Sequence, residues 1–208
     1  MPNAVEALLS QSGPSSRADA QRNVERLVAA ARGALADAGL DLTTRDVAAR
    51  AGVGLGTLYR RIPSLDALLT AILIDTIDEM TNLATHALED PDPWRGFADF
   101  AEAFVQLRAC SCGLHDALAG SGNPDLTPKI DQLRLALRRL IQRTQRAGAI
   151  RDDLDWRDIP FVLATAIAAE HTIGLHARPD QWQRNLRIIL AGLRPAAATQ
   201  AQTQNPTG

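Results

Sequence analysis

Cysteine is nearly missing from this 208-residue chain, which has only Cys110 and Cys112, and these stand two positions apart. Such a pair cannot supply a disulfide framework, so the fold has to rest on packing. Aromatic residues are scarce at 4%. No run of eighteen apolar residues occurs, and residues 1–16 lack a basic region followed by an apolar stretch, so neither a membrane span nor a secretory signal is expected and the expected compartment is the cytoplasm. A phosphate-cradling glycine loop, a nucleophile elbow and the Glu-x-x-His pairs of a di-iron bundle are all missing, which leaves catalysis without a sequence basis. No cofactor or metal is implied.

What remains is ordinary for a globular protein, 46% apolar and 22% charged, with a formal net charge of −2. That charge is unevenly spread. Residues 14–63 hold eight Arg against five acids, net +3, whereas residues 64–125 hold two Arg against eleven acids, net −9. A basic excess at one end suits contact with phosphates, while an acidic middle faces away from them; a merely solvated distribution is the plain alternative.

The basic stretch contains Thr43 to Pro63, two short helical patterns hinged on glycine. Thr43 can cap the first, with Asp46 three residues on as a short-armed capping box and Val47, Ala48 and Ala51 as the apolar face. Gly52 supplies the left-handed end, Val53 plugs the turn, and a second helix over residues 54–61 turns Leu58 inward and Leu55, Gly56, Tyr59 and Arg60 outward. This is a helix-turn-helix pattern. The string Thr-x-x-x-Val-Ala-x-x-Ala-Gly-Val-x-x-Gly-Thr-Leu-Tyr-x-x-Ile-Pro resembles the DNA-binding signature of TetR-type bacterial transcriptional regulators, over residues 24–73; Ile62 stands where that family usually has Phe.

The resemblance implies an all-α fold, an N-terminal three-helix helix-turn-helix DNA-binding head plus a C-terminal helical ligand-binding and dimerisation domain. It implies as partners double-stranded operator DNA, a small-molecule effector and a second copy of the chain, with repression as the default sign of action. Residue by residue, Thr44 and Tyr59 would contact phosphates and Arg45 would reach a guanine edge. Gly54 and Gly56 would let the backbone approach, Leu55 offers apolar contact, and Arg60 and Arg61 supply charge.

Around the motif, residues 1–16 are expected as a mobile arm, 17–63 as the DNA-binding head, 64–194 as the effector and dimerisation domain, and 195–208 as a disordered tail. Apolar positions from Val24 to Ala38 predict a buttressing helix from Arg17, ended by Gly39. Ser64 caps a long helix to about Leu88, roughly 36 Å at about 1.5 Å per residue, long enough to act as a lever between head and body. Asp92-Pro93 opens the next helix, which carries Trp94, Phe97, Phe100 and Phe104, four of the eight aromatics; such a stripe is core or a pocket wall. Thr127-Pro128 opens another, ending at Gly148, whose arginines from Arg134 to Arg146 read as a solvated face. Residues 159–169 are apolar nearly all round and predict a helix that must be covered on every side; a last helix from about Asp180 follows.

The effector is expected to be mostly apolar and to lie near Phe97, Phe104, Leu133, Leu137 and His171. The dimer interface is expected on the last two helices, through Phe161, Thr165, Ala169, Trp182, Leu186, Ile189 and Leu193. Two alternatives stand beside this reading. Cys110, Cys112 and His115 could make a thiol or metal sensor, although Cys-x-Cys splits the sulfurs across a helix; or the helix-turn-helix could be structural in a helical interaction protein that binds no DNA.

Overall fold

The computed structural model describes residues 3–5, 7, 26–35, 42–60, 62–109 and 123–195. The chain is all-α apart from one small hairpin among the described residues. Helix α1 is described over 26–35, followed by α2 (Thr44–Ala51) and α3 (Leu55–Tyr59) of the head. The long α4 (Leu65–Glu89) leads into α5 (Pro93–Ala109), α6 (Thr127–Arg146), α7 (Asp158–Ala164) and α8 (Gln181–Leu193). Strands β1 (His171–Thr172) and β2 (Leu175–His176) pair antiparallel between α7 and α8. No described helix is long and apolar enough to cross a membrane.

Two cores share α4. The first gathers Leu27, Ala31 and Leu35 of α1, Val47 of α2, Leu58 of α3, Ile62, and Leu68, Ile72 and Ile77 of α4. The second gathers Phe97, Phe100 and Val105 of α5, Leu137, Leu140 and Ile141 of α6, Ile159 and Leu163 of α7, and Leu186 and Leu193 of α8, with Ala84 and Ala87 of α4. Phe104 and Leu133 pack against both, so they mark the seam. Because α4 buries side chains in each core, it is the element that joins head and body.

Polar bonds fix the first half of α4. Ser64 Oγ accepts from the Ala67 N–H at 3.1 Å, Asn123 Nδ2 donates to Thr70 Oγ1 at 2.9 Å, and Lys129 Nζ meets Asp78 at 2.7 Å, tying the start of α6 to the lever. Along it, the hydroxyls of Thr76, Thr81 and Thr85 donate to the carbonyls of Ile72, Ile77 and Thr81 at 2.9, 2.8 and 2.8 Å. Beyond α4, Asp92 Oδ1 accepts from the N–H groups of Trp94 and Arg95, Asp90 forms a bidentate pair with Arg95, and Arg143 donates to the Asp90 carbonyl. The Arg95 hydrogen bond holds the Asp90 carboxyl below the usual carboxylate range. Arg143 is half-buried, while Arg134, Arg138, Arg139 and Arg146 of the same helix are exposed. The far end closes when Arg194 lies 3.9 Å from the Trp94 ring centre and the Arg151 N–H donates to the Leu193 carbonyl at 3.0 Å.

Two stretches differ from the sequence expectation. The apolar run over 159–169 is not one covered helix: α7 ends at Ala164, where the Thr165 hydroxyl donates to the Val162 carbonyl at 2.6 Å, and residues 168–180 are exposed. Within one chain Ile159, Leu163 and Ala166 are fully buried and Val162 and Ile167 partly so, and small Ala168 and Ala169 would gain little from burial. At the other end, of residues 1–16 expected as a mobile arm, Ala4 and Val5 are helical. Their N–H groups donate to the Asp75 carboxylate at 2.6 and 3.2 Å, and Val5 is buried in the first core. Asp75 serves there as an N-cap supplied from another helix.

Candidate nucleic-acid interface

The head presents α3 as its outer helix because each neighbouring group is held by local chemistry. Thr43 Oγ1 accepts from the Asp46 N–H at 3.3 Å while Asp46 Oδ2 accepts from the Thr43 N–H at 2.8 Å and from its hydroxyl at 2.6 Å, a complete capping box. The Thr43 hydroxyl bond holds the Asp46 carboxyl below its ordinary range. Gly52 sits at φ 66, a left-handed turn that lets the Val53 N–H reach the Ala48 carbonyl at 3.0 Å and closes α2. Only Leu58 of α3 is fully buried, and it anchors the helix on the first core.

The opposite side is free. Leu55 is 39% and Tyr59 58% exposed, and both are large side chains that a monomer has no packing reason to leave in water. Arg45 and Arg60 are exposed and Thr44 is half-buried. Arg60 Nη2 donates to Thr57 Oγ1 at 3.3 Å, one turn back, so the guanidinium is drawn along the helix rather than out from it. Thr57 was not singled out by sequence reasoning, yet the i, i+3 spacing of Thr and Arg carries that signal. A Cβ placed on Gly54 or Gly56 would meet nothing within 4 Å, so neither glycine is required by the chain's own packing. Small residues facing open space beside an exposed Tyr and two Arg form a surface to which another backbone can come close. Arg61 lies outside the described residues, as do Cys110, Cys112 and His115.

In the body, Phe97 and Leu137 are buried in the second core, and Phe104 and Leu133 stand at the seam. His171 is not beside them: it is exposed on the hairpin, against His176. The expected interface residues also divide. Phe161, Thr165 and Ala169 are exposed, Trp182 and Ile189 half-buried, and Leu186 and Leu193 buried within their own chain. An open cavity of about 690 Å³ lies elsewhere, between Arg32 of α1, Asp75, Asp78, Glu79 and His86 of α4, and Lys129 of α6. Its carboxylates were missed because their partners, the Ala4 and Val5 amides and Lys129, are distant in sequence. Among the described residues no group of three or more His, Cys, Asp or Glu is placed to hold a metal ion.

Comparison with known proteins agrees with this geometry. Residues 27–72 match the family of bacterial regulatory proteins of the tetR type, and residues 92–195 match the C-terminal domain of SbtR-like transcriptional regulators. The crystal structure of a TetR regulatory protein from Mycobacterium vanbaalenii is 30% identical, covering 87% of this chain and 100% of that one, with a TM-score of 0.57. A TetR transcriptional regulator from Streptomyces coelicolor is 28% identical over 83% of this chain and 99% of that one, TM-score 0.58. The ketosteroid transcriptional regulator KstR2 of Mycobacterium tuberculosis, at 20% identity over 89% of this chain and 99% of that one, shares the fold with a TM-score of 0.62. No curated protein matches the chain.

Proposed function

Because the chain belongs to the TetR family of bacterial transcriptional regulators, we propose that it acts in the cytoplasm as a homodimeric repressor, released from a palindromic operator by a small, mostly apolar effector. The observation that carries this reading is α3, pinned by Leu58 and otherwise turned to solvent with Leu55, Gly56, Tyr59 and Arg60. In this reading α3 enters the major groove. Thr44 and Tyr59 hold phosphates, Arg45 reads a guanine edge, Leu55 meets a thymine methyl, and Gly54, Gly56, Arg60 and Arg61 bring backbone and charge close.

The effector is placed at the seam of the two cores, where Phe104 and Leu133 touch both and Phe97 and Leu137 lie just behind. A molecule wedged there favours one placement of α4 over another and so alters the separation of two heads. Coupling of about 1 to 3 kcal/mol would change operator affinity by roughly 5- to 150-fold. We assign the second copy to the face of α7 and α8 that carries Phe161 and Ile188, 77% and 72% exposed. Large apolar side chains left in water on two neighbouring helices support an isologous interface.

Footprinting after selection from genomic fragments tests the DNA reading. A protected palindrome, with half-sites separated by about one helical turn or slightly more and affinity falling steeply with salt, is the expected result. Uniform weak binding to all fragments would reject it in favour of an interaction module.

A further inference from the structure

The link between α7 and α8 carries an arrangement for which DNA binding has no use. In the hairpin His171 stands opposite His176 and Thr172 opposite Leu175, with Ile173 and Gly174 in the turn at φ 41 and 78. Two central residues at positive φ are the mark of the primed turns that suit two-residue hairpins. The Ala177 N–H donates to the Glu170 carbonyl at 2.8 Å, so the histidines form the non-hydrogen-bonded pair, the class whose side chains stand closest. Their rings meet edge to face with centroids 4.3 Å apart, and both are exposed.

We propose that His171 and His176 form a two-histidine chelate for a late first-row divalent transition ion, with Zn²⁺ as its probe. Imidazole nitrogens suit such ions, whereas calcium and magnesium prefer oxygen. With metal–nitrogen bonds of about 2.0 to 2.1 Å, two nitrogens on a tetrahedral ion lie roughly 3.4 Å apart. The 4.3 Å separation of the ring centres is of this order, and χ2, a soft torsion in His, sets the direction in which each nitrogen points. The remaining coordination positions belong to water, since the described residues offer no third side-chain ligand.

The chelate has a structural consequence. The hairpin is made of two-residue strands, every residue from Ala168 to Asp180 is exposed, and Ile173, a β-branched residue 92% exposed, sits in the left-handed region. Such a hairpin is marginal without a cross-link. Helical continuation of α7 is its rival, and there residues 171 and 176 would point about 140° apart around the axis, too far to share an ion. An ion bound by both rings therefore selects the hairpin and staples it.

The test uses the full chain carrying Cys110→Ser and Cys112→Ser, which removes the thiolates as competing ligands. Calorimetric titration with Zn²⁺ should show an ion that His171→Ala and His176→Ala each weaken by at least about tenfold, while His86→Ala leaves the affinity unchanged. Hydrogen exchange at the Ala177 amide should slow as zinc is added, because the ion stabilises only the paired form. Unchanged affinity in both hairpin variants, no binding at all, or binding without protection of Ala177 would overturn the proposal.

Discussion

A Cβ built on Gly96 would stand 2.4 Å from the carbonyl oxygen of Ala87. The first turn of α5 thus lies directly on the last turns of α4, with the Asp90 side chain beside it, and the bend between them is as tight as backbone contact permits. No neighbouring side chain can give way, since the obstacle is backbone. Gly96→Ala should therefore cost about 1 to 3 kcal/mol in urea unfolding, whereas Gly192→Ala in α8, with nothing within 4 Å of its Cβ, should cost nothing or add slightly to stability.

The outer glycine of the recognition helix should behave oppositely. Gly56 lies inside α3 with open space around it, so Gly56→Ala is expected to raise the stability of the head by about 0.5 to 1 kcal/mol. Operator affinity should fall in the same variant. A thermal melt and a DNA titration on one preparation check both signs, and unchanged affinity would remove Gly56 from the interface.

Side chains at the interface should separate into two classes. Tyr59→Phe and Thr44→Ala should weaken binding to all sequences alike, while Arg45→Ala should also relax preference at one base position by about 1 to 3 kcal/mol. Equal, sequence-blind losses in all three would reject the readout role of Arg45. Thr57→Ala frees the Arg60 guanidinium and should shift the base preference more than the salt dependence.

The oligomer is tested at Phe161 and Ile188 rather than at Leu186. Leu186 is buried in its own chain, so Leu186→Glu should unfold the body whatever the assembly. Phe161→Glu and Ile188→Glu change side chains that a single chain leaves exposed, and should yield folded monomers by sedimentation. A stable dimer from both would move the interface elsewhere.

Acid should loosen the head through Asp46. Its carboxyl is held below the ordinary range by Thr43, so the charged form is bound more tightly when folded than unfolded. The contribution is full above about pH 4 and is lost as pH falls through the lowered folded value. Asp46→Asn should therefore lower the melting temperature at neutral pH and narrow the gap to wild type in strong acid, measured by circular dichroism.

The local devices were legible in the sequence because each is written in a few adjacent residues: Thr43 with Asp46, Gly52 at the turn, Ser64 before α4, Asp92 with Pro93. The aromatic stripe of α5 and the arginine face of α6 likewise marked which side of each helix is buried. What escaped depended on partners far along the chain. Val5 looked like part of a loose arm because the Asp75 whose carboxylate takes its N–H lies about seventy residues away. The run over 159–169 looked like a buried helix because periodicity reports how apolar a segment is and not whether any surface exists to cover it. His171, placed by pattern at the end of that helix, went with the error.

The threonine ladder of α4 bears on the operator itself. A hydroxyl bonded to the carbonyl four residues back competes with the backbone N–H for the same oxygen, and helices bend more readily where this occurs. Thr76, Thr81 and Thr85 place three such points in the middle and far half of the lever. A flexure of about 5° halfway along a rod of roughly 37 Å displaces its tip by about 1.6 Å. Two rods flexing in the same way about the proposed twofold axis change the gap between recognition helices by roughly 3 Å, close to the 3.4 Å rise of one base pair. The compliance of α4 thereby sets a tolerance: operators whose half-sites differ in spacing by one base pair should both be bound, and replacing the three threonines with valine should narrow that tolerance to a single spacing.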